Sequence, residues 1–219
     1  MLAPVPFVSV SRTQIVPTSS RIVARASAPL GRGATAAVVA TLGFAVGLAG
    51  DACHVASGTT HYEWTGLPLI WKSRAWFPFL VAAAIAAGAY LSALAGLPKG
   101  PTRRRADVAI GAGAVLALYA LTAALRHQPM TVSLVLTGSV ALAVWAWWDP
   151  SPGAFAVAAV AAVLGPAVEI ALVALDAASY APDADDLAGV APWLPCLYFA
   201  AGAVTSGLWR AVEQPATAP

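Results

Sequence analysis

Charged side chains are scarce in this chain. Asp, Glu, Lys and Arg make up 10% of its 219 residues, whereas hydrophobic residues make up 59%. That is too little charge to cover the surface of a water-soluble protein of this size. The formal net charge is only +2, so the composition does not imply a nucleic-acid partner. The scarcity predicts a protein whose surroundings are mostly lipid.

Several catalytic signatures are also missing. The chain has no HExxH pair, no GxSxG elbow and no Gly-rich phosphate loop. Only two cysteines occur, Cys53 and Cys196. A disulfide between them is conceivable, but two buried free thiols are the favoured interpretation. We therefore expect a protein that is not an enzyme and uses no cofactor.

What the chain does have is six long apolar stretches. A helix rises about 1.5 Å per residue, so about 20 residues cross a hydrocarbon core of about 30 Å. The predicted fold class is an all-α membrane protein, a bundle of six transmembrane helices over 34–212. A basic, flexible arm over 1–33 precedes the bundle, and a short tail over 213–219 follows it. The stretches run over 34–50, 75–97, 106–125, 130–148, 153–175 and 190–212.

Basic residues set the expected orientation. With the N-terminus inside, nine of the 12 Lys and Arg residues lie on the inner side, and the other three are Lys72, Arg74 and Arg126. Because positive residues concentrate on the cytoplasmic side of membrane proteins, both termini are expected in the cytoplasm. The expected location is the inner or plasma membrane of a bacterium, with several passes.

A polar cluster follows the first stretch. It consists of Asp51, His54, His61 and Glu63, and imidazole and carboxylate groups of this kind can bind a transition metal. The spacing matches no established motif, and polar residues at a helix end that faces water need no special role. A small membrane enzyme or a metal-binding protein that uses this cluster is the alternative function.

A single acid interrupts the fifth stretch. Glu169 lies three residues after Pro166, near the middle of the span, where a carboxyl group is costly unless it faces the bundle interior or a wet cavity. Pro166 also frees a backbone carbonyl one turn earlier. We expect a lipid-binding cavity between the first, third, fourth and fifth helices, with Glu169 and Pro166 at its polar end. Thr122 and Thr137 are also expected to contact the lipid. A hydrogen bond that only ties helices together is the alternative.

Small residues predict how the helices pack. Gly43 and Gly47 form a GxxxG step, and Gly202 and Ser206 mark a small-residue face on the sixth helix. Such faces let helices approach closely in lipid. They fit packing within the chain or contact between subunits, and we expect a homo-oligomer.

Several segments, in the same order along the chain, resemble the Insig (insulin-induced gene) proteins. The run Trp-Leu-Pro-Cys-Leu-Tyr-Phe at 193–199 is similar to the start of the family's sixth helix. The run from Ser133 to Ser151 is similar to its fourth helix and the turn that follows. Ala-Trp-Phe-Pro at 75–78 is similar to the opening of its second helix. The Ala-rich composition and the basic arm are typical of a bacterial homologue.

The resemblance implies a non-enzymatic membrane regulator. Insig proteins bind oxysterol in a bundle pocket and hold the partners Scap and HMG-CoA reductase in the endoplasmic reticulum. Asp149 matches the family's acidic residue linked to Scap binding, but Pro150 and Pro152 replace the arginines that follow it. For this chain we expect a sensor or regulator of a neutral lipid, sterol-like or diacylglycerol-type, with a membrane-protein partner as a further option. Asp149 itself is expected to cap the inner turn.

Overall fold

The computed structural model describes residues 29–62, 69–71 and 73–214. Most of the predicted N-terminal arm, Glu63 of the polar cluster, Lys72 and the last five residues lie outside this part. The predicted fold class is confirmed, because six helices form the bundle. They are α1 Arg32–Ser57, α2 Trp76–Leu94, α3 Arg105–Ala124, α4 Met130–Trp148, α5 Pro152–Ala174 and α6 Leu194–Glu213.

Short strands order the connections at one end of the bundle. β1 (Thr60–His61) pairs antiparallel with β4 (Ser179–Tyr180), which joins the connection after α1 to the one after α5. β2 (Leu69–Ile70) pairs with β3 (Ser73–Arg74) in a small hairpin before α2. We call this end the loop end. Its described connections are 58–62, 69–71, 73–75, 125–129 and 175–193. The opposite end, with the connections 95–104 and 149–151, is the arginine end.

The first helix runs seven residues beyond the predicted stretch. It ends at Ser57, where Gly58 adopts a left-handed conformation (φ +70°) and its N–H group bonds to the carbonyls of His54 and Val55. Such a glycine cap satisfies helix-end carbonyls that would otherwise lack partners. Asp51 and His54 are therefore helical and buried, at 4% and 3% exposure. The expectation that they sit at a helix end facing water is wrong, because the bundle encloses them.

The sixth helix lies at the centre of the bundle. It packs against each of the other five helices, and 13 of its 20 residues are buried. Among the described residues, α1 to α5 are each long and apolar enough to cross a membrane by themselves, whereas α6 is not in that group. Since α6 faces protein rather than lipid, it tolerates polar residues such as Thr205, Ser206 and Arg210.

Small residues allow this close packing. A Cβ atom on Gly202 would stand 2.6 Å from the Cβ of Ala161 and 2.9 Å from the Cα of Ala158, both on α5. Gly43 and Gly47 pack in the same way against α2. For these glycines the interpretation as packing within the chain is confirmed, so they supply no argument for a contact between subunits.

Replacing Gly202 with alanine should therefore destabilise the bundle. The added methyl group overlaps backbone and Cβ atoms of α5, and overpacking of this kind costs about 1–3 kcal/mol. Thermal melting of the detergent-solubilised protein measures the effect. Gly113→Ala on α3 is the matched control, because no described atom lies within 4 Å of its Cβ position. Equal melting temperatures for the two variants would contradict the close contact between α5 and α6.

Candidate functional site

A cavity opens inside the loop end of the bundle. Side chains from α1, α3, α5, α6 and the first turn of α2 line it, together with residues around β1 and β4. Its empty space is about 410 Å³ including the mouth. The space is narrow, with room for about one or two water molecules between its walls. We call it the loop-end cavity.

Asp51 faces the cavity from α1. The hydroxyl of Tyr62 donates a hydrogen bond to its Oδ2 at 2.7 Å. Tyr62 follows β1, so the β1–β4 pairing holds it over the end of α1. Burial, with the neighbouring Asp51 carboxyl group, raises the pKa of Tyr62 well above its usual value. The hydroxyl therefore keeps its proton and acts as a donor to Asp51.

Glu169 faces the same cavity from α5. It is 7% exposed, and the hydroxyl of Tyr198 on α6 donates to its Oε1 at 2.8 Å. Glu169 lies five residues before the last residue of α5, so it is about 8 Å from the loop end of the helix. Asp51 lies six residues before the end of α1, at a similar depth. Glu169 is thus nearer the loop end than the middle of its span.

The walls of the cavity are acidic and aromatic. Among the described residues that line it there is no Lys or Arg. Tyr180 on β4 is within hydrogen-bonding reach of Glu169, and burial, followed by the nearby Glu169 carboxyl group, raises the pKa of Tyr180 well above its usual value. The aromatic side chains of the lining are Tyr62, Trp76, Phe77, Tyr119, Tyr180 and Tyr198.

His54 borders the cavity, and its side chain is hydrogen-bonded to α3. Its Nε2 lies 2.8 Å from Oγ1 of Thr122, and that hydroxyl donates to the backbone carbonyl of Tyr119 at 2.9 Å. The tautomer of the His54 ring decides which of the two side chains donates in this bond. The rings of Tyr119 and Trp193 lie 5.1 and 5.2 Å away. Thr122 ties α3 to α1, and it is not among the residues that line the cavity.

The other predicted site residues lie apart from the cavity. Thr137 on α4 is fully buried, and in the described structure its hydroxyl has no hydrogen-bond partner. Neither Thr137 nor Pro166 is among the described lining residues, and α4 contributes none of them. The expected wall of four helices is therefore corrected, because the central α6 stands where α4 was placed.

Two further expectations concern metal ligands and thiols. His61 is exposed on β1, away from the buried Asp51 and His54. Within the described residues no group of three or more His, Cys, Asp or Glu side chains could hold a metal ion. Cys53 and Cys196 are half-buried free thiols, so the disulfide between them is not formed.

The tyrosines are what sequence reasoning missed. Four of the five tyrosines in the chain line the loop-end cavity, and only Tyr90 lies elsewhere. The available signal was their position, because each of the four falls in an outer connection or in the half of a predicted span that is nearest to it. Buried tyrosine hydroxyls usually need a partner, so tyrosines gathered at one depth indicate buried acceptors there.

Asp149 belongs to the arginine end, opposite the cavity. Its Oδ1 accepts from the backbone N–H of Ser151 at 3.0 Å, so the predicted cap of the turn is confirmed. Its Oδ2 also pairs with Nη2 of Arg210 at 3.3 Å, and the Asp149 side chain is 3% exposed. Trp148, which precedes it, is fully buried and packs against Gly111.

Comparison with known proteins agrees with this architecture. No protein-family model matches the chain. A curated INSIG protein homolog from Mycolicibacterium vanbaalenii is 43% identical over 172 residues, which are 78% of this chain and 83% of the relative. The chain belongs to the Insig family. The resemblance read from its segments is confirmed, and as an Insig protein it is a multi-pass membrane protein.

Solved structures of an Insig homologue show the same fold. The crystal structure of MvINS from Mycobacterium vanbaalenii matches with a TM-score of 0.76 and 39% identity, over 81% of this chain and 93% of MvINS. A structure of a cross-linked MvINS trimer matches equally well, with 38% identity over the same shares of the two chains.

Replacing Asp149 should lower the free energy of unfolding by more than the loss of the turn's cap alone. Asp149→Ala deletes the cap, worth about 1 kcal/mol, and also leaves Arg210 without its partner, which brings the expected loss to about 3 kcal/mol. Asp149→Asn keeps an acceptor for Ser151 but removes the charge. In thermal melting we expect both variants to fall well below the parent, while their lipid content stays unchanged because the cavity is at the other end. A stable Asp149→Asn protein would show that only the turn matters.

Proposed function

We propose that this Insig protein binds a neutral membrane lipid, sterol-like or diacylglycerol-type, and acts as a non-enzymatic lipid sensor or regulator. One observation carries the proposal: a buried cavity with two carboxyl groups and four tyrosines, and no basic residue among its described lining. An anionic headgroup would need cationic partners to replace its water. An uncharged hydroxyl or ester can exchange hydrogen bonds with these groups instead.

The depth of the cavity supports a lipid. Asp51 and Glu169 lie about 8–9 Å inside the loop-end limits of their helices, by the rise of about 1.5 Å per residue. That is the level at which the hydroxyl or ester groups of a membrane lipid meet its hydrocarbon. Because the cavity is narrow, we infer that it takes the polar end of the lipid while the apolar body lies between or outside the helices.

The enzyme or metal-binding alternative has less support. Its four residues are separated, with Asp51 and His54 buried, His61 exposed and Glu63 outside the described residues. Two measurements on the purified protein distinguish the alternatives. Mass spectrometry of co-purified lipid should detect a stoichiometric neutral lipid, and elemental analysis should detect no stoichiometric metal.

Orientation and partners complete the proposal. The distribution of basic residues favours both termini in the cytoplasm, with the loop end and its cavity facing the outer side of a bacterial membrane. A membrane-protein partner is a further option that the family resemblance suggests. Asp149 supports it less than expected, since its carboxylate is buried against Arg210.

Substitutions at Glu169 test the lipid site. Glu169→Gln retains a donor and an acceptor, so the bound lipid should remain. Glu169→Leu should weaken binding by about 1–2 kcal/mol, or about 5- to 30-fold in affinity. Binding of radiolabelled 1,2-dioleoylglycerol and the content of co-purified lipid measure the effect. Val163→Leu is the matched control, since Val163 is 68% exposed on the same helix. Parent-level binding in Glu169→Leu would leave Glu169 only a structural role.

We also propose that the protein forms a homo-oligomer through α5. MvINS, which shares the fold, was crystallised as a cross-linked trimer. In this chain α5 packs mainly against α6. Only 17% of its most apolar 18-residue segment is buried, the smallest buried fraction among α1 to α5. Its exposed face includes Val160, Val163 and Leu164.

Cysteine cross-linking in native membranes tests this contact. Val163→Cys should yield disulfide-linked dimers under oxidising conditions, because facing copies of α5 bring two thiols together. Leu91→Cys on α2 is the control, since Leu91 is 62% exposed but belongs to another helix. Monomer only, from Val163→Cys and from a general cross-linker, would contradict the oligomer.

A further inference from the structure

Two acids share the loop-end cavity without a basic partner among its described lining. Asp51 and Glu169 are 4% and 7% exposed, and each receives one tyrosine hydroxyl. Ionising both would place two like charges in a low-dielectric space. The cost of a buried, uncompensated carboxylate is several kcal/mol, and a second one adds repulsion.

Within the part of the chain that the structure describes, the groups that surround each acid in the cavity do not supply a positive charge. Tyr62, Ser73 and Tyr119 surround Asp51 and are neutral. His54 on the same helix is 3% exposed, and its Nε2 is hydrogen-bonded to Oγ1 of Thr122.

Around Glu169 the neighbours are Tyr198 from α6, Tyr180 from β4 and, farther away, Tyr119. Arg74 follows Ser73 on β3, but it is not among the described residues that line the cavity.

A further hydroxyl in the cavity lacks a partner. Thr60 on β1 lines the cavity and is 6% exposed, yet its Oγ1 forms no hydrogen bond within the described structure. A buried hydroxyl without a partner costs about 1–3 kcal/mol. An oxygen-bearing group placed between Thr60 and the two acids would satisfy it. This hydroxyl is independent of the carboxyl pair and indicates the same site.

We propose that the Asp51–Glu169 pair retains a proton that serves as the hydrogen-bond donor to the bound lipid, so that lipid binding is linked to pH. This rests on the proposed lipid-binding function and adds how the site holds the lipid. The protonated carboxyl donates to a hydroxyl or ester oxygen, and the tyrosine on the same acid keeps its own hydrogen bond. When the proton leaves, that donor is lost and a second negative charge appears in the cavity.

The direction of the pH dependence follows from the proton count. The protonated cavity binds the lipid, so affinity is constant at low pH and falls once the proton dissociates. With one linked proton, affinity falls by up to about tenfold per pH unit at the alkaline side. Because the loop end is expected on the outer side of the membrane, outside acidity would favour the bound state.

Titration of lipid binding tests the proposal on the full chain. Binding of radiolabelled 1,2-dioleoylglycerol to the protein in phosphatidylcholine nanodiscs is measured from about pH 5 to about pH 9, where one linked proton shows its full slope. The parent should lose affinity as pH rises. Glu169→Gln or Asp51→Asn should flatten the profile, since an amide cannot ionise. Asp183→Asn, which changes an exposed acid at the same end, should leave the profile unchanged.

A second measurement does not need the lipid. Infrared difference spectra of the parent at neutral pH should contain the carbonyl band of a protonated carboxyl group, and Glu169→Gln or Asp51→Asn should remove it. Lipid binding with no pH dependence, or a profile that Asp183→Asn flattens as much as the cavity variants do, would overturn the proton linkage and leave the lipid site standing. No binding by the parent at any pH would overturn both proposals.

Discussion

The close packing of α6 is the constraint on which the rest of this structure depends. Every other helix contacts α6, and small residues such as Gly202 bring the backbones together. In lipid there is no hydrophobic gain from bringing apolar helices together, so fit at short distance must supply the attraction. With α6 at the centre, the polar groups of the other helices can point inward without meeting lipid.

The two ends of the bundle use this protected interior differently. At the arginine end, Asp149 and Arg210 neutralise each other, and the Arg103 side chain donates to the backbone carbonyls of Trp147 and Trp148. The charge of Asp149 is balanced there, and its hydrogen bond to Ser151 holds the turn. In the loop-end cavity, the two acids meet hydroxyls, and no described lining residue is a Lys or Arg. The loop-end cavity therefore retains groups that can hydrogen-bond to a ligand, whereas most polar groups at the arginine end are hydrogen-bonded within the protein.

The cavity also depends on short connections outside the membrane spans. The β1–β4 pairing holds Tyr62 and Tyr180 over the ends of α1 and α5, where they approach Asp51 and Glu169. Two-residue strands are weak by themselves, but here they join connections whose ends the helices already hold. Outside the pair with Arg210, the ion pairs of the described chain are exposed at one partner or both, as in Arg126 with Asp183. The hydrogen bond from Arg126 holds the pKa of the Asp183 carboxyl group below its usual value.

The sequence by itself determined the membrane class, the six spans and the turn at Asp149, because span length and turn chemistry are local properties. It also pointed to Glu169, since an acid inside a span needs a polar surrounding. Only the tertiary structure decided that Asp51 joins Glu169, that α4 stays outside the cavity, and that His54 is tied to Thr122. The physical reason is that helices apolar on all sides carry no stripe to mark their inner face. Which faces meet is set by the fit of small residues around α6, and that fit exists only in the folded bundle.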